Sequence, residues 1–297
     1  LALELASSLP LDAALPDDPA KLRSFRRAGR ASLARLVHIA SWPVELEAID
    51  EARSPVGVAA RRYVATFGED FSAAVVEIEP LDARETVIVL SDDGRAGCAG
   101  EVEEAIAGGA RTFVLEPFLF GESRTRTHAW LWALLVSSVE ERPLGLQAGQ
   151  VASLARVLAG ARDERGVRVT AKGPRSSLIA LVAAALEPRA IADLTLIDPY
   201  GSLREVIARN LSVYEAPELF TFGLLRELDI PQIVALVSPR RIEVRATTEA
   251  GAEAWMRMAS WAHRIGQGEV VVHAPERGDE ASGAARSESA SEPASDG

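Results

Sequence analysis

The chain has 297 residues, of which 48% are apolar and 25% are charged, and its formal net charge at pH 7 is −11. This length and apolar content allow a large buried core, in one α/β domain or in two smaller ones. The acidic balance argues against nucleic acid as a partner, because binding to a phosphate backbone needs a basic surface. No apolar run approaches the roughly 20 residues of a transmembrane helix, so no transmembrane segment is predicted.

Cys98 is the single cysteine, which excludes an internal disulfide and a cysteine-based metal cluster. No other metal-ligand spacing is recognisable, and we predict no cofactor. The sequence begins at Leu1, so a removed signal peptide and a preceding domain of a longer chain are both open. We expect a soluble protein, for which a secreted or periplasmic location is one option.

The N-terminal part of the chain predicts a helix followed by antiparallel strands. Apolar residues at helical spacing after an Asp-Asp-Pro start predict the helix over residues 19–36. The segments VELEAID, ARRYVATF and SAAVVEIEP are separated by turn residues and predict short strands at one edge of a sheet. We therefore expect an N-terminal helical segment, residues 1–40, before an α/β domain, residues 41–276.

From Glu85 onward, apolar strands alternate with helical patterns. The predicted strands are ETVIVLSDDG, RTFVLEP, VRVTAKG, ADLTLIDP, RRIEVRAT and EVVVHA. This alternation predicts an α/β fold with a doubly wound, mostly parallel sheet and antiparallel N-terminal strands. After Pro275 the chain has no large apolar residue, which predicts a disordered acidic tail over residues 277–297.

Three stretches resemble a known family. VRVTAKGPRSSLIALVAAA is a strand, a glycine turn and an apolar helix, LEPFLFGES follows an earlier strand, and APELFTFGLLRELDIPQIVALVSPRRIEV precedes a later one. Together they resemble the α/β-hydrolase superfamily, in particular acetyl xylan esterase-like and dienelactone hydrolase-like proteins. The resemblance covers most of residues 85–273. It implies an α/β-hydrolase-like fold and the hydrolysis of a small ester or an acetylated carbohydrate.

The resemblance also implies catalytic positions. Active members place an acid after the seventh strand of the family and a histidine after the eighth, which here correspond to Glu249 and His273. Their nucleophilic serine lies in a G-x-S-x-G turn. Counting from Gly173 puts Arg175 at the nucleophile position, with Ser176 next to it. The candidate catalytic residues are therefore Ser176, Glu249 and His273.

Two features depart from the family pattern. Ser177 stands where the motif has glycine, and Ser91-Asp92-Asp93-Gly94 replaces the usual His-Gly loop, so two carboxylates would repel an oxyanion there. Ser176 is also suited to capping the following helix. Arg175 is suited to binding a carboxylate ligand or to pairing with Asp92, Asp93 or Glu249. An active carboxylesterase and a degenerate site, as in a pseudoenzyme, both remain open.

Other polar and aromatic residues have structural interpretations beside functional ones. Asp198 is an alternative acid or a turn residue, and Trp130 and Trp132 line a lid or pack in the core. For the remaining histidines we expect structural or surface roles: His38, His128 and His263. The glycines at 94, 97 and 100 have the wrong spacing for a dinucleotide-binding loop.

Overall fold

The computed structural model describes residues 15–54, 57–125, 128–162 and 166–275. The predicted tail, residues 277–297, lies outside the described residues. The helices are α1 (Pro19–Val37), α2 (Ala99–Ala107), α3 (Ala129–Ser138), α4 (Pro143–Arg162), α5 (Pro174–Leu186), α6 (Arg204–Ala208), α7 (Leu224–Glu227), α8 (Ile230–Val237) and α9 (Glu249–Ile265). The strands are β1 (Val44–Arg53), β2 (Ala59–Phe67), β3 (Phe71–Glu79), β4 (Glu85–Ser91), β5 (Ala110–Glu116), β6 (Val167–Lys172), β7 (Ile191–Ile197), β8 (Ile242–Arg245) and β9 (Val270–His273).

These strands form one nine-stranded sheet in the order β1-β2-β3-β5-β4-β6-β7-β8-β9. The first three strands are antiparallel, and β3 also runs antiparallel to β5. From β5 to β9 every pairing is parallel. The predicted doubly wound, mostly parallel sheet with antiparallel N-terminal strands is confirmed.

The two faces of the sheet are covered unequally. One face carries the main core, in which α4 and α5 pack on apolar residues of the central strands, and α1 and α8 pack on α5. The other face has a smaller apolar cluster, in which Val102 of α2 packs on Val87 and Val89 of β4. Strand β4 is buried on both faces, which explains its continuous apolar sequence.

Helix boundaries follow local signals in the sequence. Helix α1 begins after Asp18, whose side chain accepts a hydrogen bond from Ala20 N at 2.6 Å, and ends at His38 in the left-handed conformation.

Within the described residues, no helix has both the length and the apolar character needed to cross a membrane.

The stretch DIPQI, within the longest of the three family-like segments, forms the start of α8. Asp229 and Gln232 make a reciprocal capping box there. Asp229 also accepts hydrogen bonds from Ser202 Oγ and from Leu203 N, both at 2.6 Å. One carboxylate thus fixes the beginning of α8 and the approach to α6.

Candidate functional site

The turn between β6 and α5 is built on glycine. Gly173 has φ +94°, a conformation that side chains disfavour, and α5 begins at the next residue, Pro174. Ser176 therefore lies inside the first turn of the helix rather than at the capping position, so the predicted capping role for this serine is wrong. Its side chain is fully buried, and its hydroxyl lies beside the Asp92 carboxylate, whose charged form it helps to stabilise.

Asp92, from the loop after β4, performs the capping instead. Its Oδ1 accepts from Ser176 N at 2.7 Å and its Oδ2 accepts from Arg175 N at 3.1 Å. A Cβ atom on Gly173 would lie 2.4 Å from Asp92 Cγ, so the close approach needs glycine. Burial raises the pKa of Asp92, and the hydrogen bonds from the helix partly oppose this rise.

Arg175 occupies the nucleophile position implied by the resemblance. Its Nε donates to Glu218, a fully buried carboxylate, and its guanidinium lies 4.3 Å from the centre of the Phe120 ring. Pairing with Asp92, Asp93 or Glu249 was one of the two interpretations of Arg175, beside binding of a carboxylate ligand. The side-chain hydrogen-bond partner is instead Glu218, and Asp92 accepts from the backbone N–H. Burial opposes the charge of Arg175, yet attraction to Glu218 is strong enough to leave its pKa raised.

Glu116 holds the neighbouring loops together. This buried carboxylate ends β5 and accepts from Arg95 N at 2.7 Å and from Glu122 N at 3.0 Å. A Cβ atom on Gly121 would lie 1.9 Å from Glu116 Oε1. The acid and the glycine of LEPFLFGES are thus explained by one structural contact.

His273 ends β9, as predicted, but its side chain is directed away from α5. Its Nε2 lies 3.5 Å from Glu243 Oε1, and its side chain is 56% exposed. In the sheet it pairs with Arg245, which binds Glu104 of α2, so His273 faces the α2 side. Helix α5 packs on the opposite face, and β9 is three strands from β6, about 14 Å at the usual strand spacing. The structure does not bring His273 and Ser176 together.

Glu249 follows β8, as predicted, and is the first residue of α9. Thr248 caps that helix through a hydrogen bond from Gly251 N at 3.1 Å. Asp198, the alternative acid, accepts a hydrogen bond from Thr247 Oγ1 and so ties the end of β7 to this turn. Among the described residues, no group of three or more His, Cys, Asp or Glu side chains is placed to hold a metal ion.

The tryptophan-rich insertion forms α3 and lies at the surface. His128 precedes it with φ +58° and packs edge-on against Trp130, whose ring centre is 4.8 Å from that of Tyr214. Trp132 is 48% exposed, so core packing does not account for it. His263 lies on the exposed side of α9.

Glu218 and Glu116 organise this region, yet neither is among the functional residues predicted from the sequence. A lone acid within the apolar run APELF is the signal that points to Glu218, because such an acid needs a buried partner. The partner, Arg175, is 43 residues away, and its position after Gly173 predicts a carboxylate partner without indicating which one.

Comparison with known proteins identifies the fold. No family model and no curated protein matches the sequence. A proposed acetyl xylan esterase from Bacteroides fragilis superposes with a TM-score of 0.74 at 10% identity, over 94% of this chain and 82% of that one. Acetyl xylan esterase 1 from a Thermoanaerobacterium species gives 0.60 at 13% identity, over 87% of each chain. A promiscuous CE15 esterase from a marine bacterial metagenome gives 0.55 at 14% identity, over 82% of this chain and 86% of that one. The chain therefore has the α/β-hydrolase fold in the form found in acetyl xylan esterases, as the resemblance implied.

Proposed function

We propose that this protein is a pseudoenzyme with an esterase fold, which acts by binding and not by hydrolysing esters. The observation that supports this most directly is the position of the Asp92 carboxylate. In the family, the N–H of the residue after the nucleophile binds the oxyanion of the reaction. Here that residue is Ser176, and its N–H donates to Asp92 at 2.7 Å. An internal carboxylate thus holds the donor that an ester intermediate would need.

Two further contacts agree with this proposal. Arg175 stays protonated and cannot attack an ester, and its pairing with Glu218 fills the nucleophile position with a buried ion pair. His273 has Glu243 as its acidic neighbour and is too far from Ser176 to take its proton without a rearrangement of β9.

The alternative is an active carboxylesterase that uses Ser176, His273 and Glu249 on a small ester or an acetylated carbohydrate. One observation favours it: Ser176 lies in the first turn of α5, one residue after the nucleophile position of the family. A shift of the turn by one residue would make the Ser176 hydroxyl the nucleophile.

Fluorophosphonate labelling with peptide mapping distinguishes the two functions. We would compare the wild type with Ser176→Ala, use Ser177→Ala as the matched buried control, and include an active serine esterase to verify the probe. We expect no labelling at Ser176 in chains whose circular dichroism shows that they are folded. Stoichiometric labelling at Ser176, lost only in Ser176→Ala, would refute the proposal.

Hydrolysis of p-nitrophenyl acetate provides a second readout. We expect His273→Asn to leave any slow background rate of hydrolysis unchanged. The control His263→Asn, at an exposed position on α9, should behave in the same way. A large loss of rate in His273→Asn alone would instead support the esterase.

A further inference from the structure

An apolar cavity lies beside the Arg175–Glu218 pair but does not include it. Its volume is about 550 Å³, within the range of small-molecule sites. The walls come from α3, α6 and the segment from residue 217 to residue 225, with Leu134, Ile207, Leu219 and Phe220 among the lining residues. The candidate catalytic residues do not line it.

Arg142 is the one charged side chain among the described residues that line this cavity. Its Nη1 donates to Glu141 O at 2.8 Å, and its guanidinium carbon lies 5.8 Å from the centre of the Phe222 ring. Its Nε is buried and has no hydrogen-bond partner, and the structure gives Arg142 no ion pair within the described residues. A buried donor of this kind is unfavourable unless an acceptor reaches it.

The start of α4 adds to the positive end of the cavity. Helix α4 begins at Pro143, which also lines the cavity, and its first turn contains no acidic residue. The N-terminus of a helix of 20 residues favours an anion. Ser137 and Thr221 are the only other residues with polar side chains among those that line the cavity in the described part of the chain.

We propose that this cavity binds an amphipathic monocarboxylate, such as a medium-chain fatty acid. The carboxylate would accept from the Arg142 guanidinium, whose planar donors fit a carboxylate well, and the alkyl tail would lie on the apolar walls. Because the cavity has apolar walls and Arg142 as its one cation among the described residues, it matches a ligand with one carboxylate and a long alkyl chain. This proposal does not depend on whether Ser176 is reactive.

The 3-10 turn Pro217–Phe220 lies between this cavity and Arg175, which occupies the nucleophile position of the family. Glu218 of the turn binds Arg175, while Pro217, Leu219 and Phe220 line the cavity. A ligand in the cavity therefore packs on the segment that holds the buried ion pair in place.

Isothermal titration calorimetry tests the proposal with decanoate below its critical micelle concentration, and with decan-1-ol as the uncharged analogue. We expect one decanoate per chain and at least tenfold weaker binding of decan-1-ol, as a charge-assisted hydrogen bond implies. Arg142→Met should lower decanoate affinity at least tenfold and leave decan-1-ol affinity unchanged. Arg226→Met removes an exposed arginine from α7 that does not line the cavity, and it should behave as the wild type.

Ile207→Trp should fill the cavity and weaken both ligands, in a chain shown to be folded by circular dichroism. Equal affinity for decanoate and decan-1-ol, or unchanged decanoate binding by Arg142→Met, would overturn the proposal. So would the absence of decanoate binding to the folded wild type. Since labelling at Ser176 and binding of decanoate are measured separately, failure of one proposal does not imply failure of the other.

Discussion

Arg175 and Glu218 form an ion pair in which both groups have been taken almost completely out of water. The Arg175 side chain is 17% exposed and that of Glu218 is 0% exposed. Phe120 covers the guanidinium on one side. The loss of hydration at such a site is compensated only while both charges are present.

We therefore predict that Glu218→Gln lowers the free energy of unfolding by about 3 to 5 kcal/mol, because it leaves a buried cation without its counter-charge. Urea denaturation measures the change. The double substitution Arg175→Met with Glu218→Leu should recover most of the loss, since apolar side chains of similar volume can replace a buried pair. Glu227→Gln, in the exposed pair with Arg35, is the control and should have little effect. A small loss in Glu218→Gln would show that the pair is solvated.

Asp92 is a buried carboxylate whose negative charge is unfavourable in the folded protein. Its pKa is raised above 3.8 by burial, so the native state binds a proton more readily than the unfolded state. Between the unfolded and the native pKa, stability therefore falls as pH rises. We predict that the wild type loses stability relative to Asp92→Asn as pH rises from 3.8 through the native pKa, with no further relative change above it.

Urea titrations of both proteins from pH 4 to pH 7 measure this difference. Asp93→Asn removes the same formal charge from the exposed neighbour and controls for net charge. A relative gain in wild-type stability with rising pH would contradict the assignment of burial as the dominant cause.

At the scale of elements, Arg240 joins the ends of two helices to a strand. Its Nε donates to Val237 O at 3.0 Å at the end of α8, and its Nη1 donates to Ile191 O at 2.9 Å at the start of β7. Its Nη2 donates to Ala184 O near the end of α5. The carbonyls of Val237 and Ala184 lie in the last turns of their helices, where they have no intrahelical partner. Burial and the nearby Arg30 lower the pKa of Arg240 to about 10, so it remains charged at neutral pH.

We predict that Arg240→Met lowers the free energy of unfolding by about 2 kcal/mol or more, as expected for the loss of several hydrogen bonds from a charged donor. Arg240→Lys should recover little, because an ammonium group cannot reproduce the planar set of donors. Thermal or urea denaturation tests both variants against Arg241→Met, which changes a half-exposed neighbour. Full recovery by lysine would mean that charge alone, and not geometry, is what α5 and α8 require.

The elements themselves were largely predictable, because their signals are local. The helix predicted over residues 19–36 spans Pro19–Val37, since the apolar period and Asp18 are both in the sequence. The capping box at Asp229 likewise needs only residues 229–232. The cap of α5 was not predictable. Its acceptor is Asp92, 84 residues before Ser176, and no local pattern reveals such a contact.

At the scale of the whole molecule, the alternation of strands and helices predicts a mostly parallel sheet, and the resemblance predicts the α/β-hydrolase fold. The site depends on a finer property, the side of the sheet that each residue faces. His273 follows the family pattern in sequence and Ser176 lies one residue after the nucleophile position, but His273 is in register with Arg245 on the α2 side and Ser176 belongs to the opposite layer. A shift of one residue in a strand reverses its face, so motif counting alone cannot place His273.

The two faces of the sheet bury different amounts of apolar surface, so we expect them to differ in local stability. The α2 side has a cluster of only six buried residues, Val87, Val89, Cys98, Val102, Ala110 and Val114, whereas the other side holds the main core with Trp255 fully buried. Regions with little buried apolar area open at lower free energy than the global unfolding transition. Cys98 reports on this side, because it is fully buried and burial raises the pKa of its thiol to about 11.

We predict that a disulfide reagent at pH 8 labels Cys98 slowly in the native protein, because the thiolate is scarce and covered. As urea is added, labelling should accelerate below the midpoint of the change in tryptophan fluorescence, since α2 separates from the sheet before the main core unfolds. Protein in concentrated urea provides the rate of the fully exposed thiol. If labelling and fluorescence instead change together, the two faces of the sheet unfold as one cooperative unit, and the small cluster under α2 is as stable as the main core.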